Sequence, residues 1–180
     1  MNSIIPPIDQ DLVERYLAAG YIKHDTIAPG QGLLLLHQAF YAHKGEVRDT
    51  LPMALRYVAL GHLVVLTPPV VREGRAIPSP DGILDQEWQT IEFKRCLGSG
   101  EENIYRNLSK SSKQGTTVIR AIWVDEKVSA LAITKALTRK YRSSTRLDRV
   151  DVHWQDKICR FSRLLFFSEG EIGISKELLK

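Results

Sequence analysis

The stretch Pro78–Lys94, PSPDGILDQEWQTIEFK, holds a Pro-Asp pair, a short polar gap and an apolar run that ends Glu-Phe-Lys. From Trp88 to Cys96 the residues alternate as in a strand, where successive side chains point to opposite faces. Gln89, Ile91, Phe93 and Arg95 then share one face, with Ile91 and Phe93 as core anchors. Trp88, Thr90, Glu92, Lys94 and Cys96 share the other. An acid and a base on one face of a central strand are costly unless they are paired, open to a cleft or bound to a metal. A hairpin between residues near Ile83–Leu84 and the Trp88 strand would carry Asp81 back toward Glu92. The expected constellation is two converging carboxylates with an ammonium beside them.

Such a set suits a hard divalent cation. Mg²⁺ prefers oxygen ligands and keeps several of its waters. It polarises a phosphoryl oxygen and lowers the pKa of a bound water. Asp81 and Glu92 are the candidate ligands, and the backbone carbonyl of Phe93 is a further one. Lys94 would orient or activate the water and offset charge building on a phosphate. The competing reading is a purely structural salt-bridge cluster.

The chain has 180 residues and a net charge of +4, unevenly spread. Residues 1–93 hold 7 Lys+Arg against 11 Asp+Glu, residues 94–149 hold 13 against 5, and residues 150–180 hold 5 against 5. One basic segment therefore starts where the Glu-Phe-Lys motif ends, as a polyanion-binding surface would. The bland alternative is a solvated face on two helices. No apolar run approaches the length of a membrane span. The first residues lack the basic start and long apolar stretch of a secretion signal. Cys96 and Cys159 form no CxxC, and both are expected to be small buried residues on strands.

Pattern along the chain predicts helices over 9–19, 48–60, 101–114 and 125–142. It predicts strands over 62–67, 88–96, 116–124, 146–153 and 157–167, with a short strand or turn over 82–86. Residues 33–43 are ambiguous, with helix favoured, and 70–80 read as a loop. The order implies an α/β fold, a mixed central sheet flanked by helices.

Pro80-Asp81 followed by Glu92-Phe93-Lys94 resembles the signature of PD-(D/E)XK nucleases. ALRYVALGHLVVLTPP (54–69) resembles the helix, glycine and strand that precede the motif in many of them. NIYRNLSKSSKQGTTVIRAIWV (103–124) resembles the helix and strand on the C-terminal side of the motif in the tRNA-cleaving C-terminal toxins of contact-dependent growth inhibition systems. The resemblance covers roughly the last two-thirds of the chain. It implies a restriction-endonuclease-like core over residues 46–180, preceded by an N-terminal helical appendage over 1–45. By analogy it implies a metal-dependent endonuclease using Mg²⁺ or Mn²⁺. Asp81 and Glu92 would be metal ligands, Lys94 the catalytic lysine, and Glu46 or Asp49 a third acid from the region of the preceding helix, Asp49 serving equally well as a helix N-terminal acid favoured by the dipole. Gln114 matches the family's glutamine after the motif, in contact with substrate or a metal-bound water. The implied substrate is tRNA, with DNA as the alternative. The implied setting is the cytoplasm of a target bacterium, with a cognate immunity protein as a possible partner. A non-catalytic binding module on the same fold is the contrasting expectation.

On the 101–114 helix, Arg106, Lys110 and Lys113 share a face, with Ile104 and Leu108 on the core side. On the next helix, Lys135, Arg139 and Arg142 repeat the spacing, and Val128, Leu131 and Ala132 are expected to point inward. Both stripes are candidate nucleic-acid contacts, since phosphate contacts position a substrate. The five histidines show no metal spacing and are expected to be solvated or core residues. Trp88, Trp123 and Trp154 are expected in the core.

Overall fold

Asp9 starts the first helix: its side chain accepts from the Leu12 N–H at 3.0 Å, and α1 runs Gln10–Ala18. The computed structural model describes residues 6–24, 32–42, 44–73, 75–77, 79–98, 100–111, 118–144 and 147–179. Two compact units divide between Ile91 and Glu92.

In the first unit, β1 (Tyr21–Lys23) pairs antiparallel with β2 (Leu33–His37). β2 runs parallel to β3 (Leu63–Leu66), with Leu33 opposite Leu63 and Leu36 opposite Leu66. The helix favoured over 33–43 is therefore a strand followed by a 3-10 helix, Gln38–Ala42. Leu34, Leu35 and Leu36 are all fully buried. A strand covered on both faces is apolar at every position, so its sequence loses the alternation that identifies a strand. β1 and β2, within the expected appendage, thus join the same sheet as β3.

α2 (Lys44–Ala59) begins before the expected Arg48 and carries Pro52 inside it. β4 (Val70–Arg72) and β5 (Arg75–Ile77) pair as a separate hairpin where a loop was expected. β6 (Gly82–Leu84) lies antiparallel to β3 and to the start of β7 (Thr90–Arg95). Gly82 pairs with Ile91 and Ile83 with Thr90, which is the hairpin expected from the sequence. Leu12 and Val13 of α1 close over Leu35, Leu63, Val65 and Ile83.

The second unit opens inside β7. β7 neighbours β8 (Ile119–Trp123), and β8 runs parallel to β9 (Arg149–Trp154). β9 pairs antiparallel with β10 (Lys157–Ser162) through a turn in which Gln155 has φ +52°. α3 (Glu101–Ser111), α4 (Ala130–Ser143) and α5 (Arg163–Leu179) pack on one face of these strands. Ile122, Val150, Val152, Cys159 and Phe161 meet Ile104, Leu108, Ile133, Leu137 and Ile174 there.

Two expectations change in this unit. The strand expected to reach Phe167 stops at Ser162, whose hydroxyl accepts from the Leu165 N–H at 3.1 Å and caps α5. α4 begins at Ala130 rather than Asp125, capped by Ser129, whose hydroxyl accepts from the Ala132 N–H at 3.2 Å. That later start shifts the inward phase to Ile133, Ala136, Leu137 and Tyr141, and leaves Leu131 58% exposed.

Each unit is α/β, with a mixed set of strands and helices packed on it. No described helix is long and apolar enough to cross a membrane.

Candidate functional site

Glu92 and Lys94 stand two residues apart on β7, so they share a face. Cys96, two residues further on, is buried beside Ile122 in the helix-covered core. Alternation from Cys96 places Lys94 and Glu92 on that face, and alternation from Ile122 places Arg120 there too. Glu92 is completely buried, and Lys94 pairs with it through Nζ and Oε1. The Lys94 side chain keeps 29% of its surface open to solvent. A carboxylate at that depth stays charged only beside a cation.

Two further cations are buried in the second unit. Arg120 is 2% exposed, and burial pulls its guanidinium below its ordinary value, against the opposing pull of Glu92, Asp148 and Tyr141. Lys140 of α4 is 5% exposed, with Nζ 3.3 Å from the Ser109 hydroxyl of α3 and 5.8 Å from the Tyr105 ring. Burial lowers its pKa, Tyr105 pulls it up, and Arg120 pushes it further down.

Asp81 lies in the first unit, half-buried, at the start of β6. Backbone contacts fix its position: Thr67 N–H donates to the Asp81 carbonyl at 3.0 Å, and the Thr67 hydroxyl to the Pro80 carbonyl at 2.9 Å. At Gly82, the next residue, a Cβ would stand 2.3 Å from the Val65 carbonyl oxygen, so only glycine lets β6 approach β3 this closely. Glu46 lies in the first turn of α2, and its side chain falls outside the described residues, as do Lys113 and Gln114. Among the described residues, no group of three or more His, Cys, Asp or Glu side chains is placed to hold a metal.

Arg106, Lys110, Lys135, Arg139 and Arg142 are all exposed. Arg106 and Arg139 are also engaged: Nε of Arg106 and Nη1 of Arg139 donate to the two oxygens of Glu102 at 3.0 and 2.6 Å. Arg139 lies 3.8 Å over the Tyr105 ring as well. Lys135, Arg139 and Arg142 line a groove of about 470 Å³ with Glu101, Thr138 and Glu171.

Two buried pairs have no counterpart in the sequence reading. His62 Nδ1 lies 2.6 Å from Asp85 Oδ2, and Asp85 Oδ1 accepts from the Leu63 N–H at 3.0 Å. In the second unit, Asp151 is fully buried and takes both Nε and Nη2 of Arg149, at 2.7 and 2.6 Å. No spacing in the sequence marks His62 with Asp85, because 23 positions separate them.

No family model, curated protein or solved structure matches the chain.

Proposed function

We propose that the protein is a metal-dependent nuclease that hydrolyses phosphodiester bonds, with RNA, and tRNA in particular, as its substrate. The observation that carries this is the Glu92–Lys94 pair: a fully buried carboxylate with a partly exposed lysine side chain two residues along the same strand. The succession α2, β3, β6, β7, α3, β8 supports a restriction-endonuclease-like core. So does the β6–β7 hairpin, in which Gly82, next to Asp81, pairs with Ile91, next to Glu92.

Asp81 and Glu92 offer carboxylate oxygens without sulfur or imidazole, a donor set that fits Mg²⁺ or Mn²⁺. When bound, that cation supplies Lewis-acid polarisation of the scissile phosphate and a more acidic water. Glu92 brings a carboxylate paired with Lys94. Lys94, with its side chain 29% exposed, orients the attacking water and donates to the phosphate oxygen that gains charge. Arg106, Lys110, Lys113, Lys135, Arg139 and Arg142 hold the flanking phosphates. Gln114 contacts substrate, and Glu46 adds an acid from α2. Delivery as a toxin into a target bacterium's cytoplasm, with a cognate immunity protein, belongs to the same proposal.

The full burial of Glu92 favours one second reading, a non-catalytic nucleic-acid-binding module in which the pair is structural. Incubation with total tRNA, plasmid and single-stranded DNA separates the two. Cleavage of tRNA with Mg²⁺ and none in chelator is the expected result. Full cleavage in chelator overturns the metal, cleavage of plasmid alone points to a DNA endonuclease, and no cleavage leaves the binding module.

A further inference from the structure

Past the ends of β7 and β8, a cavity of about 400 Å³ is lined by Arg95, Leu97, Trp123, Asp125, Glu126 and Lys127, with Cys96 and Gly98. It lies wholly in the second unit. Backbone contacts fix its walls. The Cys96 N–H donates to the Trp123 carbonyl at 2.8 Å, which joins the two strand ends. Asn103 of α3 donates to the Leu97 carbonyl, and Gly98 turns the chain at φ +109°. On the other side, the Val128 N–H donates to the Asp125 carbonyl at 3.0 Å. The Lys127 N–H donates to the Asp125 carboxylate at 2.9 Å, so that carboxylate is held in the turn. The volume falls within the range of small-ligand sites, about 300–1,000 Å³.

The lining chemistry narrows the ligand. The Arg95 guanidinium lies over the Trp123 ring, 5.5 Å from its centroid, and such flat layers are what bases stack on. Leu97, 72% exposed, adds an apolar edge. Arg95 and Lys127 balance Asp125 and Glu126 in formal charge, so the cavity has no excess of cations to recruit a bare phosphate. The side chains of Glu126 and Lys127 are exposed and make no hydrogen bond or ion pair among the described residues. The ligand that fits is neutral and planar, with donors on one edge and acceptors on another. We infer that the cavity is a guanine-binding pocket. Guanine sets two donors side by side, N1–H and the 2-amino group, and two acceptors side by side, O6 and N7. The two carboxylates accept from the first pair, and Lys127 and Arg95 donate to the second. Adenine, cytosine and uracil each carry a single donor group on the base edge and leave one carboxylate unmatched. For its role the pocket rests on the nuclease reading: Arg95 follows Lys94 on β7, so a guanosine held here selects the nucleotide near the cut bond. For its ligand it rests on the cavity alone.

The test needs neither metal nor turnover. The full chain, in chelator, is titrated separately with GMP, AMP, CMP, UMP and inorganic phosphate. Calorimetry measures binding, and NMR follows the Trp123 indole N–H signal, assigned with Trp123→Phe. GMP should shift that signal to saturation and bind about tenfold or more tighter than the other three nucleotides. Inorganic phosphate should leave the signal where it is. Asp125→Asn and Glu126→Gln each set an amide donor against the donors of guanine, so each should erase most of the preference for GMP. Both positions are exposed, so neither variant should change the melting temperature. A Trp123 signal unmoved by GMP overturns the inference, and so does equal binding of the four nucleotides. Movement with inorganic phosphate alone overturns it in favour of an anion site. Retention of the full GMP preference in both variants overturns it as well. A protein that binds GMP here but cleaves nothing keeps the pocket and loses the nuclease; one that cleaves RNA while Trp123 stays unmoved by GMP does the reverse.

Discussion

Arg139 of α4 donates to Glu102 of α3 at 2.6 Å, tying together the two helices that carry the basic stripes. Hydrogen bonds from Arg139 first and Arg106 second hold the Glu102 carboxyl below its usual range. Two arginines expected to meet phosphates are therefore partly neutralised in the free protein. Glu102→Gln should release both. RNA affinity should rise, and the dependence of log affinity on log salt should steepen by up to about two units. Fluorescence anisotropy at several salt concentrations measures this. An unchanged affinity and slope would remove these helices from the nucleic-acid interface.

Cys96 is 3% exposed, and burial pushes its thiol up to about 12 from an ordinary 9.0. The thiolate is the reactive form, so native Cys96 should resist iodoacetamide at pH 9 and react on unfolding. The same shift sets a stability window. In the unfolded chain the thiol ionises near its ordinary value, while in the folded chain it stays protonated. The stability it contributes is intact below about pH 9 and declines as pH rises toward 12. Urea midpoints from pH 7 to 10.5 should fall less steeply for Cys96→Ala than for the wild type. Parallel slopes would contradict this.

Asp85 holds His62 at 2.6 Å and the Leu63 N–H at 3.0 Å, both out of water. Asp85→Ala strands two buried donors and should cost about 3 kcal/mol or more in urea unfolding. Asp85→Asn keeps an acceptor for Leu63 and tolerates the positive φ of +60° at this site, so it should cost less. A loss for Asp85→Ala within about 0.5 kcal/mol, the range of ordinary surface changes, would make the pair incidental.

What the sequence could disclose depended on how local the cause was. β7 was legible because Ile91 and Phe93 alternate with polar residues. The β6–β7 hairpin was legible from its short connection. β2 was not legible, because four leucines between two strands carry no period at all. Residues 163–167 looked like a continuing strand for the same reason, and a single serine hydroxyl makes them a helix. The Glu92–Lys94 pair was visible since strand spacing alone joins positions two apart. Arg120 and Lys140 were hidden. Arg120 sits within an apolar run, and Lys140 is placed against Ser109 from 31 positions away. The burial of Lys140 also depends on a helix phase that shifted when α4 began at Ala130.

Lys94 separates chemistry from binding. Its ammonium lies against Glu92 on a side chain that is partly exposed, so it can serve a phosphate without holding the rest of the strand. Lys94→Ala should slow single-turnover cleavage by on the order of 100-fold or more, the loss expected for one electrostatic donor. RNA affinity in chelator should change far less than the rate, because exposed Arg106 and Lys110, with Lys113, supply more of the phosphate contacts. Neutralising those three should do the opposite, weakening binding at every sequence and flattening the salt dependence by about one unit per lost contact. Circular dichroism on each variant guards against unfolding, since Lys94→Ala also removes an ion-pair partner from the buried Glu92. Cleavage and titration curves for the two variants, taken together, decide the assignment. A folded Lys94→Ala that cuts at the wild-type rate ends the catalytic role of the Glu92–Lys94 pair, and normal binding by the triple variant ends the role of the α3 stripe.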